Sequence, residues 1–350
     1  MRNLIDKLER EHILEKDEFI ALLTALSREG HDGETGTYLA AKALAVREKY
    51  FGRDVYLRGL IEFTNYCKND CLYCGIRRGN PKAERYRLSA REILDRCRAG
   101  YELDFRTFVL QGGEDPYFND ERMVEIISGM RQEFPDCAIT LSVGEKSRET
   151  YEKYYQAGAD RFLLRHETAA PDHYGLLHPA DMSLANRQEC LFTLKDIGFQ
   201  VGAGFMVGSP FQTLENIAED LLFIGRLKPQ MVGIGPFIPH PETPLGSYER
   251  GSADLTVSIL GILRLMLPKV LLPATTALGT IDPESREKAL GYGANVMMPN
   301  LSPLNVRQKY DIYVGKIHLD EEAAEGVARL KSRLKELGYE TPLSRGDFPV

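Results

Sequence analysis

Eight short apolar runs alternate with stretches of helical periodicity through most of this 350-residue chain. The runs occupy 57–64 (LRGLIEFT), 107–112 (TFVLQG), 138–143 (AITLSV), 161–168 (RFLLRHET), 200–208 (QVGAGFMVG), 231–239 (MVGIGPFIP), 271–277 (LLPATTA) and 294–299 (ANVMMP). Ser89 and Glu92 have capping-box spacing ahead of Ile93 and Leu94, and Thr213 can cap a helix carrying Ile217, Leu221 and Ile224. Met123, Ile126, Ile127 and Met130 share one helical face; Val327, Leu330, Leu334 and Leu337 form a last helix closed by Gly338 and Pro342. Eight strand–helix units predict an α/β fold, a (β/α)8 barrel of the TIM type. An open doubly wound sheet satisfies the same periodicity. In both, chemistry belongs on the loops at the strand C-termini.

Residues 1–54 read differently. Leu4, Ile5 and Leu8, then Phe19, Leu22, Leu23 and Leu26, then Leu39, Ala43 and Val46 recur at helical spacing. The expected organisation is a helical N-terminal extension (1–54) and a barrel with a C-terminal helical segment (55–350). Formal charge is −7, with 43% apolar and 27% charged residues. This balance leaves no basic field to hold nucleic acid or an anionic membrane. No apolar run is long enough for a bilayer, and the first residues, MRNLIDKLEREHILEKDE, are too charged for a signal peptide. A cytoplasmic protein is expected.

Three of the six cysteines fall within eight residues, directly after the first apolar run: Cys67, Cys71 and Cys74, spaced C-x3-C-x2-C. Three thiolates on one loop can converge on a polynuclear iron centre, filling three positions of a four-iron cluster and leaving one iron open. A structural zinc site and unligated buried thiols are the alternatives. Zinc ordinarily wants four protein ligands, and no second C-x2-C or H-x3-H pair is present. Cys97, Cys137 and Cys190 are scattered and read as packing residues.

With aromatic Tyr73 before the last cysteine, this motif resembles the signature of the radical S-adenosylmethionine (SAM) superfamily. The resemblance implies a 4Fe-4S cluster on Cys67, Cys71 and Cys74 whose open iron chelates SAM. One-electron reduction then cleaves the sulfonium to methionine and a 5′-deoxyadenosyl radical. It also implies SAM contacts at other strand ends. Gln111-Gly112-Gly113-Glu114 resembles the motif whose backbone carbonyls hold the SAM amino group. Glu167 is the candidate for the ribose hydroxyls, Arg187 for the SAM carboxylate, and Gly204 and Met206 for the border of adenine. A plain Arg165–Glu167 neutralising pair is the alternative for Glu167, and His166 reads as structural.

If Arg165 and Glu167 face inward, the matching positions elsewhere (Thr140, Ser142, Gly202, Gly204, Gly233) are small or polar, where a filled barrel stacks Val, Ile and Leu. This predicts a hollow interior with a substrate cavity lined by Thr140, Ser142, Arg165, Thr275, Thr276, Met298, Arg307 and Tyr310. The arginines suit an anionic group in the substrate.

The stretches IEFTNYCKNDCLYCGIRR (61–78), RHETAAP (165–171), VGIGPFIPHPETPL (232–245) and LPATTALGT (272–280) resemble the FeFe-hydrogenase maturases of the HydE family, grouped with biotin synthase and methylornithine synthase. The resemblance implies a role in assembling the hydrogenase di-iron subcluster on a small molecule or small iron-complex substrate. Transient contacts with other hydrogenase maturases and an electron donor go with it. No cysteine follows Cys190, so no second, C-terminal cluster is expected. Biotin synthase needs an auxiliary cluster for which no ligands stand out. A methylornithine synthase-like radical mutase is the enzymatic alternative; a non-catalytic iron–sulfur scaffold would not need Glu114, Glu167 and Arg187.

Overall fold

The computed structural model describes residues 1–317 and 322–349. Ten short strands appear among them: β1 (Tyr56–Leu57), β2 (Gly59–Thr64), β3 (Thr107–Gly112), β4 (Ala138–Ser142), β5 (Arg161–Leu163), β6 (Gln200–Ala203), β7 (Met206–Val207), β8 (Met231–Val232), β9 (Gly235–Pro236) and β10 (Val296–Met297). Six form one parallel sheet in the order β2-β3-β4-β5-β6-β8; β7 pairs with β9, and β1 with β10. Every β2 residue is buried, as are Phe108, Val109 and Leu110 of β3. A strand covered on both faces cannot alternate in polarity, which is why these runs read as continuously apolar.

The expected runs and the strands differ in three places. Runs 200–208 and 231–239 each break into two strands, β6/β7 and β8/β9, around Gly204 and Gly233. The run at 161–168 ends as a ladder strand at Leu163, though Leu164 and His166 still donate to Gly202 and Gly204, and Glu167, with a left-handed backbone (φ 67°), makes one isolated bridge to Phe205. The run at 271–277 is not a ladder strand. It makes isolated parallel bridges from Leu271 to Met231 and from Pro273 to Val296, and turns helical at Thr276. Proline has no amide to donate, so Pro273 leaves one hydrogen bond of a would-be ladder unmade. The parallel sheet is therefore continuous over six strands, with single bridges and the β1–β10 pair where two further strands were expected.

Helix starts follow their expected chemistry. Ser89 with Glu92, and Thr213 with Asn216, form reciprocal caps, and Asn119, Ser147, Ser183 and Ser252 cap four other helices. Three helices, Arg2–Glu11, Lys16–Glu29 and Glu34–Phe51, precede the first strand. They pack on helices Leu214–Leu227 and Ala253–Met266. The second of these is covered on every side, which explains its nearly unbroken apolar sequence. Its Arg264 donates to the Gly293 carbonyl, and Arg47 likewise binds the carbonyls of Gly52, Asp54 and Ala294. Both buried guanidiniums are satisfied by backbone oxygen.

Beneath the sheet, Arg161 pairs with Asp347 at 2.6 Å and donates to the Arg345 carbonyl at 2.9 Å. Arg58, Thr140 and Arg161 are all buried around a void of about 10 Å³. Among the described residues no helix is long and apolar enough to cross a membrane.

Candidate active site

The cysteine loop leaves β2 and lies against the ends of its neighbours. Lys68 N–H donates to the Glu114 carbonyl beyond β3, and Leu72 N–H donates to Leu177. Gly113 is where backbones meet: a Cβ there would stand 2.2 Å from the Tyr66 carbonyl oxygen and 2.9 Å from the Cys67 Cβ. Only glycine permits that approach. Cys67, Cys71 and Cys74 are half-buried and form no disulfide. Burial raises all three thiols, and their mutual repulsion adds to it for Cys71 and Cys74; Cys74 is pushed up to about 12. Among the described residues no three Cys, His, Asp or Glu side chains converge on a point that one ion could fill. A cubane cluster asks for less, because each thiolate binds its own iron.

Around the loop stands a ring of charge. Arg187, fourth residue of the helix Leu184–Ile197, places Nε 2.6 Å from Glu145 Oε1 and Nη2 3.9 Å from Glu114 Oε1. Burial disfavours its charge, but Glu145 and Glu114 outweigh that and raise its affinity for the proton. Arg165 Nη2 is 3.1 Å from Glu167 Oε2, and Lys68 Nζ is 3.3 Å from Glu114 Oε2. These groups are close as ion pairs yet misaligned as hydrogen bonds. Glu114 Oε2, Glu145 Oε1, Glu167 Oε2, Arg187 Nε and Arg165 Nε and Nη2 are buried atoms without a hydrogen-bond partner. Buried charge left with spare donors and acceptors suits a polar, zwitterionic ligand.

Glu167 is held by its strained backbone. Its N–H and that of His166 both donate to the Gly204 carbonyl, and its own carbonyl accepts from Met206 N–H. A left-handed glutamate costs roughly 1 kcal/mol or more. Gly204 has no room for a Cβ, which would meet the Gly233 oxygen at 1.9 Å. Met206 and Tyr73 pack in one small apolar cluster with Leu177, Phe237 and Leu245. The Tyr73 hydroxyl is 3.2 Å from His178 Nε2, while His178 Nδ1 is 3.0 Å from the Tyr174 carbonyl. A carbonyl only accepts, so Nδ1 carries the proton and Tyr73 donates to Nε2. Burial drives His178 down to about 3, keeping it neutral. His166 is fully buried against Asp220, at 3.2 Å, and away from the ligand space.

The structure therefore brings the three cysteines, Tyr73, Glu114, Glu167, Arg187, Gly204 and Met206 to one end of the sheet. Gly112 and Gln111 end β3, where Gln111 Nε2 approaches the Tyr310 hydroxyl at 3.4 Å. The expected cavity residues divide. Thr276, Met298 and Arg307 line a cavity of about 320 Å³ with Arg286, Asn300 and Lys316. Thr140 and Gly202 instead line the small void at the base. Leu163, Ser142, Arg165 and Glu167 are partly accessible while Leu164, His166 and Thr168 are buried, so exposure alternates from Leu163 to Thr168, whereas Arg161 and Thr140 of the same parity are buried. A Cβ on Gly233 would face open space, and Thr275 Oγ1 lacks a partner. The larger cavity is also walled by Val327, Leu330, Leu334 and Leu337 near the C-terminus, and none of the cysteine-loop or SAM-candidate residues lines it. Sequence reasoning missed Glu145, His178 and a buried Glu62–Lys316 pair joined by Asn300.

The sequence matches the Radical SAM superfamily over residues 61–224. It is 44% identical over 337 residues to the [FeFe] hydrogenase maturase subunit HydE of Thermotoga maritima, spanning 96% of this chain and 94% of that one. The chain belongs to the radical SAM superfamily, in the HydE family. A 3-methylornithine synthase of Methanosarcina acetivorans is 32% identical over 96% of this chain and 92% of its own length. The crystal structure of a methylornithine synthase (PylB) superposes with a TM-score of 0.83 at 28% identity, covering 97% of each chain. Membership in this superfamily implies a 4Fe-4S cluster and SAM, and the donor set fits both. Cys67, Cys71 and Cys74 would hold the cluster, and Glu114, Glu167 and Arg187 would face SAM beside it.

Proposed function

We propose that this radical SAM enzyme serves FeFe-hydrogenase maturation, acting on a small molecule or small iron complex during assembly of the di-iron subcluster. The observation that carries this reading is the cysteine loop ringed by unsatisfied buried carboxylates and guanidiniums, in a chain matching a HydE maturase from end to end. When bound, the cluster and SAM supply one-electron radical chemistry. The chain's own residues do the rest. Arg187 attracts the SAM carboxylate, Glu167 accepts hydrogen bonds from ribose hydroxyls, and backbone carbonyls at Gly112 and Gly113 receive the amino group. Tyr73, fixed by His178, and Met206 exclude water from the adenine side. Thr275, Thr276, Met298, Arg307 and Tyr310 belong to the substrate side, with Arg165 reaching toward an anionic group.

The finer reading follows the same lines. The single bridges at Leu271 and Pro273 and the β1–β10 pair support an eight-unit ring, with residues 1–54 as a helical extension of the barrel unit 55–350. One cluster per chain is expected, because all three remaining cysteines are buried core residues and none follows Cys190. The protein works in the cytoplasm with an electron donor and, transiently, other maturases. The test is activation of apo-hydrogenase in a defined maturation mixture with and without this chain. Activation that depends on the chain is expected; SAM cleavage without activation would refute the maturation role. A radical mutase is the second reading, favoured by the close superposition on methylornithine synthase; formation of methylornithine by the chain would reveal it.

A further inference from the structure

The charge of this chain is unevenly placed. Residues 66–91, which contain the cysteine loop, carry seven basic and two acidic residues, a net of +5 on a chain of −7. Everything else therefore sums to −12. Within the segment Asp70 pairs with Arg77 at 2.7 Å and Glu84 with Lys309; from outside it Glu114, Glu242 and Asp115 pair with Lys68, Lys82 and Arg87, so Arg78 and Arg91 are the exposed cations that carry the excess.

The basic residues wrap the outside of the loop. Arg78 is exposed, and its N–H donates to the Asn69 carbonyl, between Cys67 and Cys71. On the other flank, Arg87 lies 3.8 Å over the ring of Tyr66, the residue before Cys67, and 4.6 Å from the ring of Tyr117. Arg122 covers Tyr117 from farther out, at 4.1 Å. Asp115 fixes this stack: its carboxylate takes both Arg87 Nε (2.7 Å) and Nη2 (2.9 Å) and also accepts from the Tyr117 N–H and the Thr64 hydroxyl. Tyr117 stays 45% exposed within it. Ordered guanidiniums on aromatic rings at the surface are the composition of a protein-binding face.

We propose that this face is the landing surface for a small acidic protein carrying a low-potential one-electron centre. The proposal rests on the reading that Cys67, Cys71 and Cys74 hold a reducible cluster. A cluster buried behind the loop is reached most closely from the loop's outer side. One electron leaves the donor, which is oxidised, and enters the cluster, which is reduced; no bond or proton need move. A long polyanion such as nucleic acid would meet the −12 of the remaining surface, whereas a compact acidic protein need touch only the basic face.

The test uses the reconstituted holoenzyme, a reduced bacterial-type ferredoxin as probe, and the double variant R78E/R122E, with K49E as a charge reversal on the N-terminal helices. Cluster reduction is followed by absorbance and ferredoxin binding by titration. At low salt the double variant should be reduced by ferredoxin about tenfold more slowly and bind it correspondingly less, with both effects shrinking as salt rises. Reduction by dithionite, which needs no docking, should match the parent, and K49E should match the parent throughout. Equal ferredoxin rates in the parent and R78E/R122E, or an equal loss in K49E, would overturn the proposal. A parent that dithionite cannot reduce would overturn the cluster reading on which it stands.

Discussion

Replacing Gly113 by alanine tests whether the close approach behind the cysteine loop matters to the site. The added Cβ would stand 2.2 Å from the Tyr66 carbonyl oxygen and 2.9 Å from the Cys67 Cβ. Ordinary contact begins roughly 1 Å farther out than the first of these distances. Both neighbours belong to the backbone or the base of a ligand side chain, so neither can rotate away. The Tyr66–Cys67 peptide must move, at a cost of about 1–3 kcal/mol typical of overpacking. Gly112→Ala is the comparison: its Cβ would meet Thr64 Cγ2 at 2.8 Å and the Phe63 ring at 3.2 Å, side-chain atoms that can shift. Both proteins should fold, since each Cβ presses on one local contact, although Phe63 itself belongs to the core. After anaerobic reconstitution G113A should hold clearly less iron than the about four atoms of a full cluster. Its SAM cleavage should fall about tenfold or more, at about 1.4 kcal/mol per tenfold, with G112A losing much less. A G113A protein with parental iron content and cleavage rate would show that the loop does not depend on this contact.

Further outcomes follow from the same geometry. Cys67→Ala, Cys71→Ala and Cys74→Ala should each abolish the cluster absorbance and SAM cleavage, while Cys97→Ala keeps both and loses only about 1 kcal/mol of stability in a denaturant melt. Glu167→Gln should retain the cluster but weaken SAM binding about tenfold or more by equilibrium dialysis, since charge-assisted hydrogen bonds contribute most. Unchanged affinity would assign Glu167 to its pair with Arg165. His178→Phe removes the acceptor for Tyr73 and should weaken SAM about three- to tenfold, the effect of one ordinary hydrogen bond. The same variant reports on pH. His166 and His178 are held near 3, below the ordinary 6.5, so unfolding takes up a proton at each once pH falls below about 6.5. Their stabilisation is complete above that value and lost on acidification by about 1.4 kcal/mol per pH unit per histidine. Stability curves between pH 6 and 5 should be flatter for H178F by about one proton; an unchanged slope would mean that His178 titrates normally.

The sequence discloses this site unevenly, for physical reasons. Caps such as Ser89 with Glu92 are local, so helix starts could be read at once. Burial on both faces makes β2 and β3 plain. The break at Gly204 was hidden because its cause, the Gly233 carbonyl at 1.9 Å from a would-be Cβ, lies on the next strand. The bridge-only segment at Leu271 and Pro273 was overread because apolarity marks burial, not pairing. Arg187 and Glu167 were found through resemblance and strand-end position. Glu145, three residues past β4, carries the same strand-end signal and could have been found that way. His178 could not: its partner Tyr73 is 105 residues away, and a lone histidine announces no such bond.

The base of the sheet has a kinetic consequence. Arg58, Thr140 and Arg161 are sealed from water, with Asp347 and the Arg345 carbonyl locked beneath them. Nothing enters or departs by that end. Molecules that react between the strand ends must come in by the cysteine loop or by the cavity that Thr276, Met298 and Arg307 share with Leu330 and Leu334. With two openings, each ligand should exchange while the other is bound, which steady-state measurements of addition order would show.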